Sequence, residues 1–136
     1  MAQSPNPFNI AASDYPISHL CCSRAFEISS AHLPEEDWAD LQVLAETADT
    51  GLLQFECFTL PGSEAIGFKI LSSPWTDQHL GEYWGYDLST LQALQATEGF
   101  SEETIRVLTL AAQAAVRFLV IDPYSNVLNG LPRFDC

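Results

Sequence analysis

His32 stands in the run Ser29-Ser30-Ala31-His32-Leu33-Pro34. An imidazole this close to two serine hydroxyls has the residue types needed to draw a proton from an oxygen nucleophile. The run also lies where a strand pattern gives way to a helix pattern, a junction suited to a site. It lacks a nucleophile elbow and the glycine run of an oxyanion hole. The competing chemistry is simpler: a serine or histidine that caps the helix opening at Pro34. Two expectations therefore attach to His32, a small enzyme or ligand-binding site on one hand and a structural cap on the other.

His19, Cys21 and Cys22 are the only metal-like cluster, and His79, Cys57 and Cys136 are scattered. A zinc site needs three or four ligands in firm geometry, so no metal is expected. Two of the four cysteines are adjacent, which favours a reduced, cytoplasmic protein over a disulfide framework. No G-x-G-x-x-G, Walker loop, H-E-x-x-H or C-x-x-C occurs, so no cofactor is expected and the chain does not read as an enzyme. No stretch has the continuous apolar core of a signal peptide or membrane span.

Charge is the strongest compositional signal. Eighteen acids face five bases, a net of −13. Residues 25–105 hold 15 acids against Lys69 alone, a net of −14. Such a field repels nucleic acid and membrane surfaces and attracts basic partners, over a Debye length of roughly 8 Å. The same carboxylates would also serve plain solubility. Glu35, Glu36, Asp37, Asp40 and Glu46 gather on one predicted helix, and Trp75 and Trp84 lie in the aromatic run Ser72–Tyr86. These seven residues are the candidate partner-binding set, the tryptophans acting as apolar anchors.

The elements that must position them follow from periodicity. Residues 1–20 read as a poorly ordered arm with prolines at 5, 7 and 16, and residues 21–136 as a single domain. Arg24 to Ser30 alternates as a strand, and Trp38, Leu41, Leu44, Ala45 and Ala48 make the apolar stripe of a helix stopped by Gly51. A hairpin follows, closed by Leu60-Pro61-Gly62-Ser63, with Leu53 opposite Ile70, Phe55 opposite Phe68 and Cys57 opposite Ile66. Ser72–Tyr86 reads as irregular, its aromatics covering the second face of the sheet. Asp87 caps a short helix with the stripe Leu88, Leu91 and Leu94. Ser101 caps the most regular segment: a helix with Ile105, Val107, Leu108 and four alanines inward, then a strand, Val116–Ile121, apolar on both faces. The order predicts an α+β fold, helices packed on a mainly antiparallel sheet, in a split β-α-β (ferredoxin-like) arrangement.

FEISSAHLPEEDWADL and GFSEETIRVLTLAAQAAVRFLVIDPYSNVLNGLPRFDC together resemble the opening and closing blocks of a family of small bacterial proteins of unknown function. That family is often carried on plasmids and phages near antirestriction genes. The resemblance carries no catalytic residues. It implies a mobile-element context, in which small acidic proteins often inhibit host defence nucleases. The expectation is thus an acidic inhibitor of a restriction enzyme or CRISPR effector, its carboxylates standing where phosphates sit. Its partner would be a protein with a basic nucleic-acid-binding surface, not nucleic acid itself. The alternatives are the His32 site and an immunity or antitoxin-like partner of a basic protein.

Overall fold

The computed structural model describes residues 6–9, 23–47 and 53–134. Four strands, β1 (Arg24–Ser29), β2 (Phe55–Thr59), β3 (Ile66–Ile70) and β4 (Val116–Asp122), form one sheet in the order β1-β4-β3-β2. Among the described residues four helices accompany it: α1 (Glu35–Thr47), α2 (Asp77–Trp84), α3 (Leu88–Thr97) and α4 (Glu102–Gln113). Single 3-10 turns lie at Pro7–Asn9 and Ser30–His32. The class is α+β. The sheet is mixed, because β1 runs parallel to β4 while β2/β3 and β3/β4 are antiparallel. Strands β1 and β2 run the same way across α1, so the β-α-β unit is split. Two strands separate them, and β4 sits inside the sheet with β1 at its edge. That order departs from a ferredoxin-like sheet.

Helix α4 forms for the reasons its sequence states. Ser101 Oγ accepts the Thr104 N–H, and Glu102 and Glu103 occupy the first turn, where the helix dipole favours carboxylates. Ile105, Val107, Leu108, Ala111, Ala112 and Ala114 are buried. Thr109 is also buried and accepts a hydrogen bond from Gln92 of α3. Ala115 is exposed rather than inward, because it ends the helix in the left-handed region at φ 61°.

Phe26, Ile28, Phe55, Cys57, Ile66, Phe68, Ile70, Leu119 and Ile121 share one sheet face by register. They join Leu41, Leu80, Leu91 and Leu108 from the four helices in a single core. The opposite face carries Glu27, Glu56, Lys69, Phe118 and Val120, none of them fully buried. β4 is therefore not covered on both sides, as its doubly apolar pattern suggested. The aromatics expected to cover it are placed elsewhere: Trp75 lies in the core, and Trp84 and Tyr86 line a cleft with Leu53 and Gln54. Ser72–Tyr86 is not irregular either: Thr76 accepts the His79 N–H and opens α2.

The hairpin register is offset by two residues from the expected one. Phe55 faces Ile70, Cys57 faces Phe68 and Thr59 faces Ile66, with Glu56 directly opposite Lys69. A shift of two preserves the faces, so Cys57 still points to the core, and burial pushes its thiol up to about 12. It stays protonated at neutral pH and is no nucleophile. The offset has a steric reason. Phe58 lies opposite Gly67, and a Cβ on Gly67 would stand 2.1 Å from the Phe58 ring. Gly67→Ala should therefore push the ring aside and cost about 1–2 kcal/mol. In a Phe58→Ala background the same change should cost nothing, measured as the coupling in a denaturation double-mutant cycle. Additive effects would remove this explanation of the register.

Residues 6–9 belong to the fold, although the sequence reads as an arm there. Phe8 is 0% exposed and meets Phe26 edge-on at 5.0 Å. Arg24 donates to the carbonyls of Phe8 and Ala114, and Asn6 Nδ2 donates to Leu110 O at 2.7 Å. Residues 10–22, including His19, Cys21 and Cys22, lie outside the described residues, as do Ala48, Gly51 and Cys136.

Candidate functional site

The His32 junction can be built atom by atom. Ser29 Oγ accepts the Ala31 N–H at 3.0 Å and so caps the 3-10 turn. The His32 ring is 1% exposed. Its Nδ1 lies 2.7 Å from Pro132 O, and its Nε2 lies 2.8 Å from Leu128 N. A carbonyl only accepts and a backbone N–H only donates, so Nδ1 carries the proton and Nε2 receives one. Both nitrogens are committed to backbone. His32 has no lone pair left for a serine, and its role is to fasten the C-terminal return. Ser29 N donates to Asn126 O, and Phe134 N donates to Ala31 O, on the same seam. The two segments that carry the family resemblance are thus laced to each other.

Among the described residues, no group of three or more His, Cys, Asp or Glu stands close enough to hold a metal. His79 instead packs against the Tyr83 ring at 4.7 Å.

The five helix carboxylates divide. Glu35, Glu36, Asp40 and Glu46 are exposed on α1, opposite the buried Leu41. Asp37 is half-buried and turns toward α4, where its Oδ2 is shielded without a hydrogen-bond partner among the described residues. It lines a crevice of about 30 Å³ with Leu41, Leu44, Gly99, Phe100, Ser101 and Thr104, whose rim the exposed Asp40 shares. Asp37 belongs to helix packing, not to the outer face. The tryptophans divide likewise. Trp75 is 0% exposed and its Nε1 donates to Leu71 O at 2.8 Å, so it anchors the core and no partner can reach it. Trp84 is 48% exposed and Tyr83 70%.

Trp84 stands at the mouth of a cleft of about 310 Å³ lined by Leu53, Gln54, Trp84, Tyr86, Leu94, Thr97 and Glu98. Its walls are unusually well fixed. Trp84 Nε1 donates to Ser72 Oγ at 3.0 Å, Ser72 Oγ donates to Gln54 Oε1 at 2.7 Å, and Gln54 Nε2 donates to Tyr86 Oη at 3.0 Å. From α3, Gln95 Nε2 donates to Leu53 O at 3.0 Å while its Oε1 is buried without a partner among the described residues. Gln54 and Ser72 hold φ of 67° and 57°. Each such left-handed residue costs about 1 kcal/mol, and strain of this kind gathers at functional sites. Glu98 connects the cleft to the acidic helix, because the next residue, Gly99, abuts Leu44 of α1.

Sequence reasoning found Trp84 but not the rest of the cleft. Gln54 carries no signal for positive φ, which is usually read from glycine or asparagine. Leu94 reads as core by its spacing, yet α3 buries Gln95 in its place and leaves Leu94 40% exposed.

Fold and surface together define a small α+β domain with an acidic helix face beside a preformed aromatic cleft. No described helix is long and apolar enough to cross a membrane. Residues 25–136 match the model of a family of unknown function, the DUF5983 C-terminal domain, and the chain belongs to that family. No curated protein and no solved structure matches the chain.

Proposed function

We propose that this chain is an acidic protein-binding inhibitor of a host defence protein that handles nucleic acid, such as a restriction nuclease or CRISPR effector. The observation that carries the reading is the net of −14 over residues 25–105, with Glu35, Glu36, Asp40 and Glu46 exposed together on α1. Carboxylates so arranged offer lysines and arginines of the target the charge that phosphates normally supply. Such an inhibitor works in the bacterial cytoplasm, where its target is, and suits the mobile-element context implied by the opening and closing segments. A pull-down from host lysate tests it. Binding should weaken about tenfold or more on moving from low to physiological salt, as phosphate contacts do. The double charge reversal Glu36→Lys/Asp40→Lys should abolish capture without changing the folded spectrum. Undiminished capture by that variant would sink the phosphate-mimic reading. The same charge also suits an immunity or antitoxin-like partner of a basic toxin, which co-expression with neighbouring genes would reveal.

A further inference from the structure

Resting on that reading, we infer that the Trp84 cleft is a specificity pocket for one arginine side chain projecting from the partner protein. The argument is a matching of donors and acceptors. Inside the cleft most donors are already engaged: the Trp84 indole N–H goes to Ser72, one of the two Gln54 amide N–H groups to Tyr86, and the Thr97 hydroxyl to Ala93 O, which leaves the second Gln54 N–H and the Tyr86 O–H as donors. What else remains is acceptor: the Glu98 carboxylate, the lone pairs of Thr97 Oγ1, and the second lone pair of Tyr86 Oη. A group with many donors and no acceptor fits this inventory, and guanidinium has five donors and none to accept.

Shape and charge select the same occupant. Leu53 and Leu94 offer apolar walls to a three-carbon stem, which arginine buries while its head stays at the mouth. The Trp84 ring is tethered at its edge by Ser72, leaving a face on which a planar guanidinium stacks. Because the ring is held before binding, little ordering is left for the partner to impose. Glu98 lines the cleft itself, and Glu82 and Asp87 are exposed on the neighbouring α2 and its following turn. Lysine would supply charge and stem but no plane to stack.

The test uses the full chain labelled with ¹⁵N and follows the indole N–H of Trp84, assigned by its loss in Trp84→Phe. The probes are blocked glycyl-arginyl-glycine, its lysine counterpart and its citrulline counterpart, an uncharged isostere. The arginine peptide should move the Trp84 signal saturably, with the lysine peptide weaker by several-fold and the citrulline peptide silent. Glu98→Gln, an exposed and conservative change, should weaken the arginine peptide by about tenfold, the loss of one charge-assisted contact. Equal binding of citrulline, or an unmoved Trp84 signal, would overturn the assignment. So would arginine-induced shifts confined to Glu36 and Asp40, which would leave the acidic-inhibitor reading standing. Conversely, a saturable Trp84 titration in a chain that captures no host protein upholds the pocket and refutes the inhibitor.

Discussion

His32→Ala is expected to destabilise the domain by about 3 kcal/mol, a large fraction of the stability of a chain this size. The change empties a site where the ring is 1% exposed and strips hydrogen-bond partners from Pro132 O and Leu128 N. Each orphaned, partly buried backbone group costs about 1 kcal/mol or more, and the lost ring adds a cavity term. The damage should be local first. Amide hydrogen exchange should show the return from Asn126 to Phe134 opening before the sheet, because His32 and its neighbours on the seam tie it down. His32→Gln, which can replace one of the two bonds, should fall between. A stable His32→Ala protein that lost partner binding would mean that the imidazole acts on a ligand.

The same residue shows what a sequence can and cannot disclose. Ser29-Ser30-Ala31-His32 was legible as a strand-to-helix junction, and Ser29 does cap the turn there. The partners of the imidazole were not legible, because they are backbone atoms 96 and 100 residues away. Local chemistry likewise placed Ser101, Asp87 and the Phe26–Ile28 alternation correctly, since caps and alternating burial depend on neighbours in the chain. Strand order and register depend on distant packing. Nothing near Phe55 announces that the Phe58 ring will settle over Gly67, although the doubly apolar run Val116–Ile121 does mark β4 as an inner strand. The candidate surface follows the same division. Exposed carboxylates of α1 could be read from an amphipathic pattern. The cleft could not, for it is assembled from Gln54, Tyr86, Leu94 and Glu98 by tertiary contacts.

Phe8→Ala is expected to cost about 3 kcal/mol or more, a value out of keeping with a residue on a loose arm. Its ring is fully buried, edge-on to Phe26. Its backbone is fixed from both sides, with Arg24 donating to its carbonyl and its N–H given to Asn6 Oδ1 at 3.0 Å. Pro7 crowds Gly130 so closely that a Cβ there would stand 2.9 Å from Pro7 Cγ. Residues 6–9 therefore join three parts of the chain: the end of α4 through Leu110, the start of β1 through Arg24, and the C-terminal return through Gly130. Asn6→Ala, which removes hydrogen bonds but no apolar volume, should cost only about 1 kcal/mol. A chain begun at Cys21, the boundary suggested by composition, should lose the whole plug. It would leave Phe26 and the Leu110 carbonyl uncovered, with a lower denaturation midpoint than Phe8→Ala alone. If the shortened chain instead melts with the intact one, Phe8 contributes nothing to stability and the domain does begin where the prolines end.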